Sequence, residues 1–471
     1  MRSRWHWFWV GLVAMVVTTT AWSTLRAEDV VSAFRYGGDE RIREEFFDNI
    51  PVIADPPGVA RGGDNNYFRY RTRLWAEYDL LPNVTFRVRA ANEFRNWDSP
   101  SMSAKPQRSD WGCMDEIVLD NLYLDVRDLL DKKLDVRVGR QDLIYGTGKV
   151  ILEGTPGDGS RTIYFNAAKA TWKGIPNATL DAFAIYNENE DELAINSADR
   201  DLNAYPTAVE SPTESGGGLY LKSQMCKTMP FEAYLIYKHE NAWEQKGSNT
   251  VYAWQSVSSS GTLLENPEFD VGTLGFRLMP VIGERVKGNI EAAVQVGDRG
   301  DESQFGYMVD AFATYQVPLC ETMKPAVDGG VYLLSGDDPG SKNDEGWDPL
   351  WARYPQFSEL YVYAFDFENL SAARWSNLVM PHAGLVASPT AWLKTSAMLG
   401  YMWAMEDDGP GDGTERGLLA VAKGEFTIGQ KMLLPNDKLT THLWLELLEP
   451  GDYYNVDDLA TFARWEVMYS F

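Results

Sequence analysis

Apolar and polar residues alternate one by one through the final segment of the chain. Between Trp465 and Phe471 every second residue is aromatic or aliphatic, and the residues between them are mostly polar. Successive side chains of a β-strand point to opposite faces, so this period of two predicts a strand with one apolar face. A strand that ends on an aromatic residue is typical of an outer-membrane β-barrel, which a barrel-assembly machinery recognises at that end.

Eighteen segments of the chain show strand-like patterns of this kind. The connections between them are alternately short and long, as in barrels with tight periplasmic turns and longer extracellular loops. An even number also suits a closed bacterial barrel with both termini in the periplasm. The sequence therefore predicts an all-β fold, a transmembrane antiparallel β-barrel of 18 strands that forms one domain over residues 28–471. The predicted strands cover residues 40–47, 65–79, 84–95, 116–127, 134–143, 161–173, 178–187, 216–226, 230–239, 269–279, 286–297, 305–316, 325–335, 376–387, 392–404, 417–428, 439–449 and 460–471.

The first residues predict an export signal. A basic start is followed by an apolar stretch from Trp5 to Val17 and then by small residues. The stretch is too short to span a bilayer as a helix, which needs ~20 residues, although an uncleaved anchor is the alternative. We expect residues 1–27 to be a signal peptide that is cleaved after Ser23 or Ala27.

The composition argues against several classes of function. A formal net charge of −25 argues against nucleic acid as a partner. The three cysteines, Cys113, Cys226 and Cys320, are widely spaced and fit neither a disulfide framework nor a metal site. The sequence also lacks the zinc-protease, serine-hydrolase and phosphate-loop motifs. We therefore expect a channel and not an enzyme, without a catalytic cofactor.

Alternation also assigns strand residues to the lipid or to the lumen. On segment 65–79, apolar residues such as Leu74 would face lipid, so the arginines between them would face the lumen. An arginine at the bilayer midplane would cost ~2–4 kcal/mol on the lipid face. The predicted inner wall formed by the last strand and the first three carries nine arginines, namely Arg464, Arg41, Arg43, Arg69, Arg71, Arg73, Arg87, Arg89 and Arg95.

A positive wall in a confined channel attracts anions, and arginine forks match carboxylates. The alternative is that these arginines pair with lumen carboxylates and stiffen the wall. Candidate partners are Glu45, Glu77, Glu93 and Asp135. The opposite wall is mixed and sparse, with Arg277, Lys287, Lys394, Lys423, Glu291, Asp310, Glu425 and Glu446.

The long connections are acidic and rich in Gly and Pro. Such loops are usually only solvated, but carboxylates are also the ligands of Ca²⁺. The sequence therefore suggests one structural Ca²⁺ site, at Asp337, Asp338, Asp344 and Glu345. Within the longest connection, residues 360–367 alternate like a strand and are interpreted as a loop hairpin or lid element. Whether residues 336–375 plug the pore stays open at this point.

Two consecutive strand segments carry an ordered motif. Residues 119–127 contain Asp-Asn-Leu-Tyr-Leu-Asp, and residues 134–146 contain Gly-Arg-Gln-Asp-Leu-Ile-Tyr-Gly. This block resembles the bacterial alginate export family, in which a strand of the first type leads into one of the second type. Residues 37–49 and 346–356 are similar to the opening strand and to part of the longest loop of that family.

The resemblance implies a monomeric 18-stranded barrel in the outer membrane of a Gram-negative-type bacterium. Its narrow, arginine-lined conduit would pass an alginate-like anionic polysaccharide outward, and Arg137 and Arg140 would be conduit residues. The implied partners are the polysaccharide, membrane lipid, the barrel-assembly machinery and periplasmic secretion proteins.

Two other functions stay open at the level of the sequence. The same barrel could serve uptake of general or acidic solutes as a porin, because the direction of transport leaves no mark in the sequence. A secreted β-rich carbohydrate-binding protein or polysaccharide lyase would also be rich in aromatic residues, and it would be soluble after export.

Overall fold

The computed structural model describes most of the chain. The described residues are 33–50, 65–99, 113, 116–152, 164–188, 193–197, 213–244, 265–320, 322–352, 357–361, 375–409 and 411–471. The predicted signal peptide, residues 1–27, lies outside them. None of the described helices is long and apolar enough to cross a bilayer.

Eighteen long strands form the wall, and the predicted antiparallel barrel of 18 strands is confirmed. They are β1 (Phe34–Asp48), β2 (Asn65–Leu81), β3 (Val84–Ser99), β4 (Glu116–Asp128), β5 (Leu134–Gln141), β6 (Phe165–Ile175), β7 (Ala178–Asn187), β8 (Glu214–Ser223), β9 (Phe231–Glu240), β10 (Phe269–Leu278), β11 (Val286–Arg299), β12 (Glu302–Gln316), β13 (Ala326–Leu334), β14 (Leu378–Thr390), β15 (Leu393–Trp403), β16 (Glu415–Gln430), β17 (Lys438–Pro450) and β18 (Ala460–Ser470).

Four short strands and one helical turn accompany the wall. Ala194–Ser197 and Val281–Ile282 extend the main sheet, and Trp243–Glu244 pairs with Glu265–Asn266 outside it. The helical turn Leu129–Lys132 connects β4 to β5.

The largest difference from the predicted strand ends is at β1, which begins at Phe34 and not at residue 40. Its pairing with β2 continues to Phe34 opposite Tyr78. Backbone pairing between strands can continue beyond the hydrocarbon region. Neither face has to be apolar there, so the sequence no longer alternates and the strand end is harder to predict.

The barrel closes between its first and last strands. β1 pairs antiparallel with β2 on one side and with β18 on the other. At the seam, the backbone N–H groups of Gly38 and Phe471 each donate to the carbonyl of the other residue, at 3.0 Å. Because the sheet closes on itself, the wall has no free edge.

Side-chain exposure alternates along the wall strands. On β2 the Arg71 side chain is fully buried, whereas Leu74 is 56% exposed on the other face. On β10 Thr273 is fully buried and its neighbour Leu274 is 60% exposed. The outer face is therefore apolar, and the inner face carries the polar residues.

Aromatic residues mark the two ends of the outer face. Tyr36 and Trp392 are exposed near the short turns, and Tyr186 and Tyr237 are exposed near the long connections. Barrels place aromatic girdles in this way at both membrane interfaces.

Two long connections fold into the barrel. We call residues 142–152 the first inner segment, and residues 335–352 with 357–361 the second inner segment. Ile151 and Trp351 are fully buried and form a parallel bridge between the two segments. The main hydrophobic cluster joins these segments to inward residues of the wall, such as Tyr220 and Met308.

The expected hairpin or lid at residues 360–367 is only partly described. Leu360 and Tyr361 are helical and fully buried, so these two positions are not extended. The remaining residues of that stretch lie outside the described part of the chain.

The outer face predicts a strong penalty for charge at Leu274. A Leu274→Arg variant should lose ~2–4 kcal/mol of folding free energy in lipid vesicles, because the guanidinium would face hydrocarbon. Denaturant titration followed by tryptophan fluorescence measures this loss. The control is Leu319→Arg, since Leu319 is 85% exposed in a short turn and should change stability by less than about 0.5 kcal/mol. Equal losses in both variants would contradict the assignment of faces.

Candidate functional site

The nine arginines of the predicted positive wall all project from the inner face of β18, β1, β2 and β3. Arg41 and Arg43 are buried, whereas Ile42 between them is 38% exposed. The register of β1 and β2 sets Arg41 opposite Arg71 and Arg43 opposite Arg69. These four side chains lie close together although they carry like charges, so the site needs compensating anions.

Carboxylates supply that compensation. Arg43 Nε lies 2.8 Å from Glu45 Oε1, and Asp39 accepts from both Arg71 and Arg73, at 2.8 and 2.7 Å. Arg464 contacts Glu45 at 3.2 Å across the seam. Each of the nine arginines lies within 4.0 Å of at least one of Asp39, Glu45, Glu77, Glu93, Asp120, Asp142, Glu359 and Glu466.

The large positive excess expected on this wall is therefore absent. The arginines of this wall instead pair with carboxylates of the lumen, and Glu45, Glu77 and Glu93 are among their partners as expected. Asp135 does not, because its carboxylate lies 2.7 Å from Lys173 Nζ.

Arg137 and Arg140 are not brought together. Arg137 is directly opposite Asp125, contacts its carboxylate at 3.2 Å and lies 4.3 Å above the Tyr123 ring. Arg140 is an odd number of residues further along the strand and therefore has the opposite phase. It donates to Leu119 O and to Asn166 Oδ1, both at 3.0 Å. Arg140 thus ties β5 to its two neighbours and does not extend the inward row of Arg137.

A group of cations that the sequence did not single out lies beside Arg137. Lys169 is directly opposite Arg137 on β6. The Lys222 ammonium is 5.2 Å from the centre of the Tyr145 ring and 5.5 Å from that of Tyr220. Within the described residues, no carboxylate comes within 4.0 Å of either lysine. Alternation along β6 could have revealed Lys169, because it shares a face with Thr171.

We call Arg137, Lys169 and Lys222 the cationic patch. Arg137 is paired with Asp125, whereas in the described residues neither lysine has a carboxylate within 4.0 Å. The two lysines are therefore less closely neutralised than the nine arginines of β18, β1, β2 and β3, which we call the arginine wall.

The first inner segment reaches the opposite wall. Its Tyr145 ring stacks on Tyr220 at 4.4 Å between centroids, and Thr147 Oγ1 donates to Glu291 at 3.0 Å. Lys149 lies 3.7 Å from Asp310 and 3.9 Å from the Tyr332 ring centre. Glu291 and Asp310 of the mixed wall therefore hold this segment in place.

The second inner segment is attached to the wall at two places. At residues 348–350, Lys238 Nζ donates to Leu350 O at 2.7 Å, and Gln295 exchanges two hydrogen bonds with the Asp348 backbone. At residues 358–359, Glu446 of β17 accepts from Ser358 Oγ at 2.6 Å and from the N–H of Glu359 at 2.8 Å. The segment thus bridges different sides of the lumen and narrows it.

The remaining charged residues of the mixed wall are largely paired. Arg277 contacts Glu232 at 3.2 Å, and Lys394 contacts Glu425 at 3.2 Å. Lys423 lies 4.4 Å from the Trp444 ring centre. Lys287 is exposed towards the short turns.

The acidic loop proposed for Ca²⁺ already uses its carboxylates. Asp344 contacts Arg299 at 2.6 Å, Asp338 accepts from Gly340 N at 2.8 Å, and Asp337 accepts from Glu345 N at 3.0 Å. Burial and the neighbouring carboxylates raise the pKa of Asp337 to about 6. Calcium binding here stays a prediction.

Comparison with known families gives a match over most of the chain. A family model described as alginate export matches residues 33–410. No curated protein sequence matches the chain.

Solved structures share the fold at low sequence identity. A BenF-like porin from Pseudomonas fluorescens Pf-5 is 10% identical, with a TM-score of 0.58 over 93% of this chain and 98% of that chain. OpdO from Pseudomonas aeruginosa is 13% identical, with a TM-score of 0.55 over 95% and 99%. OpdK from Pseudomonas aeruginosa, solved with vanillate, is 11% identical, with a TM-score of 0.53 over 93% and 98%.

The attachment at Glu446 predicts a change of conductance. A Glu446→Ala variant leaves the buried donors of Ser358, Glu359 and Leu360 without their acceptor, at a cost of ~1–3 kcal/mol for each. The second inner segment should then leave its docked position more often, and planar-bilayer recordings should show a larger mean conductance. The control is Glu449→Ala, because Glu449 is exposed on the same strand. An unchanged conductance in folded Glu446→Ala protein would contradict the attachment.

Proposed function

The chain belongs to the alginate export family, and from this we propose that it exports an alginate-like anionic polysaccharide through its lumen. Its family and its fold are those of outer-membrane channels. The proposal concerns what passes, and in which direction.

The cationic patch is the observation that carries the proposal. Lys169 and Lys222 place positive charge in a confined space, and no carboxylate of the described ranges lies within 4.0 Å of them. Such a site raises the local concentration of anions and repels cations. Lys222 lies one residue before the end of β8 at its short turn, so the patch is on the route from the periplasmic side. A uronate chain would meet Lys222 beside Tyr145 of the first inner segment.

The arginine wall supports movement along the lumen. A uronate carboxylate can take the place of a protein carboxylate on an arginine, so charge pairing is exchanged and not lost. Arg69, Arg71 and Arg73 follow one another along β2 at every second residue and would offer successive positions of this kind. Conduction needs binding that is strong enough for capture and spread over enough sites for release.

Uptake of small acidic solutes is the second candidate. The two inner segments favour it, because they narrow the lumen and a polymer passes only when they move. A similar barrel, OpdK, was solved with vanillate. Size and direction of the permeating solute separate the two candidates.

The proposed partners follow from the channel function. They are the anionic polysaccharide, membrane lipid, the barrel-assembly machinery and periplasmic secretion proteins that deliver the polymer. We propose a monomer, in line with the closed barrel.

The cationic patch predicts anion selectivity. A Lys169→Gln, Lys222→Gln double variant should shift the reversal potential in a KCl gradient towards cation selectivity, because two positive charges of the cationic patch are removed. The control is Lys227→Gln, an exposed residue of the turn after β8, which should leave the potential unchanged. If the double variant and the wild type share one reversal potential, the patch does not set selectivity.

Oligouronates test the direction of transport. We expect oligouronates added to the periplasmic side of an oriented bilayer to block the current at lower concentration than those added outside. Blockade from the outside only, or by monomeric acids only, would favour uptake.

A further inference from the structure

Three potential metal ligands lie at the end of the barrel that carries the long connections. His239 is next to last in β9, and Asp270 is second in β10, where the two are direct partners in the antiparallel ladder. Glu268 immediately precedes β10. The ligand atoms of these three residues lie within 4.8 Å of one another, and they form the single group of this kind in the described part of the chain.

The hydrogen bonds of His239 orient its ring for a cation. Nε2 lies 2.9 Å from the amide oxygen of Asn241, which can only accept, so Nε2 carries a proton. On the other side, Nδ1 lies 2.9 Å from Asp270 Oδ1 and 3.7 Å from Glu268 Oε1. A proton on Nδ1 can hold the ring against these carboxylates, and a metal ion that replaced this proton would meet the same three ligand atoms.

This arrangement is the one that histidine ligands adopt in metal sites. A ligating imidazole usually donates its second N–H to an oxygen, which fixes the tautomer and the ring orientation. Asn241 has that role here. A further hydrogen bond restrains the carboxylate of Asp270, because the Tyr237 hydroxyl donates to its Oδ1 atom.

Paired strands hold the ligands, so the site is preformed. His239 and Asp270 are fixed by the ladder between β9 and β10, and the backbone carbonyl of Glu268 accepts from Gly300 N at 2.8 Å. The His239 side chain is 23% exposed and that of Glu268 is 60% exposed, so an ion and its water can enter from solvent. Ligands on strands are positioned more accurately than ligands on loops.

We propose that His239, Glu268 and Asp270 bind a divalent transition-metal ion of the Zn²⁺ class, with water in the open position. One imidazole nitrogen and two carboxylate oxygens are ligands that Zn²⁺ accepts in a tetrahedral site, whereas Ca²⁺ and Mg²⁺ prefer oxygen alone. The side chains belong to the outward phase of β9 and β10, together with exposed Leu235 and Leu274. The site is therefore separate from the lumen and independent of the proposed transport.

Calorimetry with Zn²⁺ alone tests this proposal. Untagged protein, purified in detergent and treated with EDTA, should bind one Zn²⁺ per chain at pH 7.5. A His239→Ala variant should lose this binding, and Asn241→Ala should weaken it by about 10–100-fold, as removal of such a supporting hydrogen bond does. The matched control is His382→Ala, because His382 is also a strand histidine near a carboxylate, 3.7 Å from Asp328. It should retain wild-type affinity.

Heat-modifiable migration on gels shows that each variant is folded before titration. Equal Zn²⁺ affinity in wild type and folded His239→Ala would overturn the proposal. A loss of Zn²⁺ affinity in His382→Ala as large as that in His239→Ala would also overturn it, because the bound Zn²⁺ would then not be specific to this site. A response to Ca²⁺ or Mg²⁺ that His239→Ala leaves unchanged, without Zn²⁺ binding, would also overturn it.

Discussion

The structure depends on one constraint, which is that hydrocarbon offers no hydrogen-bond partner to a peptide backbone. Pairing of β1 with β18 satisfies this constraint, since it leaves no edge of the wall open to lipid. A closed wall with one apolar face then sends every other side chain inward. The charged residues that lipid excludes are thereby concentrated in the lumen, where they must find partners or water.

The lumen consequently behaves more like a protein interior than like a tube of solvent. Arg71 and Glu45 are almost completely buried inside it, and so is Trp351 of the second inner segment. Buried charges are tolerated when they are paired and hydrogen-bonded. This explains why carboxylates accompany the arginine wall, and why Lys169 and Lys222, which have no carboxylate within 4.0 Å in the described residues, differ from those arginines.

Most of the wall could be predicted from the sequence, because alternation is a local property that each strand carries by itself. The inward direction of Arg41 and Arg71 follows from it. The pairing of charges could not be predicted, because it depends on register and on distant segments, as when Glu359 of a long connection reaches Arg464. The sequence indicated the inner segments only weakly. Apolar residues such as Val150 and Ile151, which lie in a predicted loop, were the sign that part of this loop is buried.

The family resemblance implies a conduit role for both Arg137 and Arg140, but the two side chains differ in their contacts. Arg140 is three positions after Arg137, and this odd spacing puts the two side chains on opposite faces of a strand. A sequence motif records the order of residue types, but the face to which each side chain points depends on its position in the pleated strand. The Arg140 side chain donates a hydrogen bond to Asn166 of the neighbouring strand, whereas the Arg137 side chain points into the lumen.

The seam between the first and last strands has a consequence for assembly. Glu45 is opposite Arg464 in this ladder, and Arg43 is opposite Glu466. A slip of two residues would keep every side chain on its proper face, so the apolar pattern alone could not reject it. It would, however, move Arg464 away from Glu45 and Glu466 away from Arg43. These ion pairs therefore favour closure in the native register, because a barrel that closes in a slipped register leaves these charges without their partners across the seam.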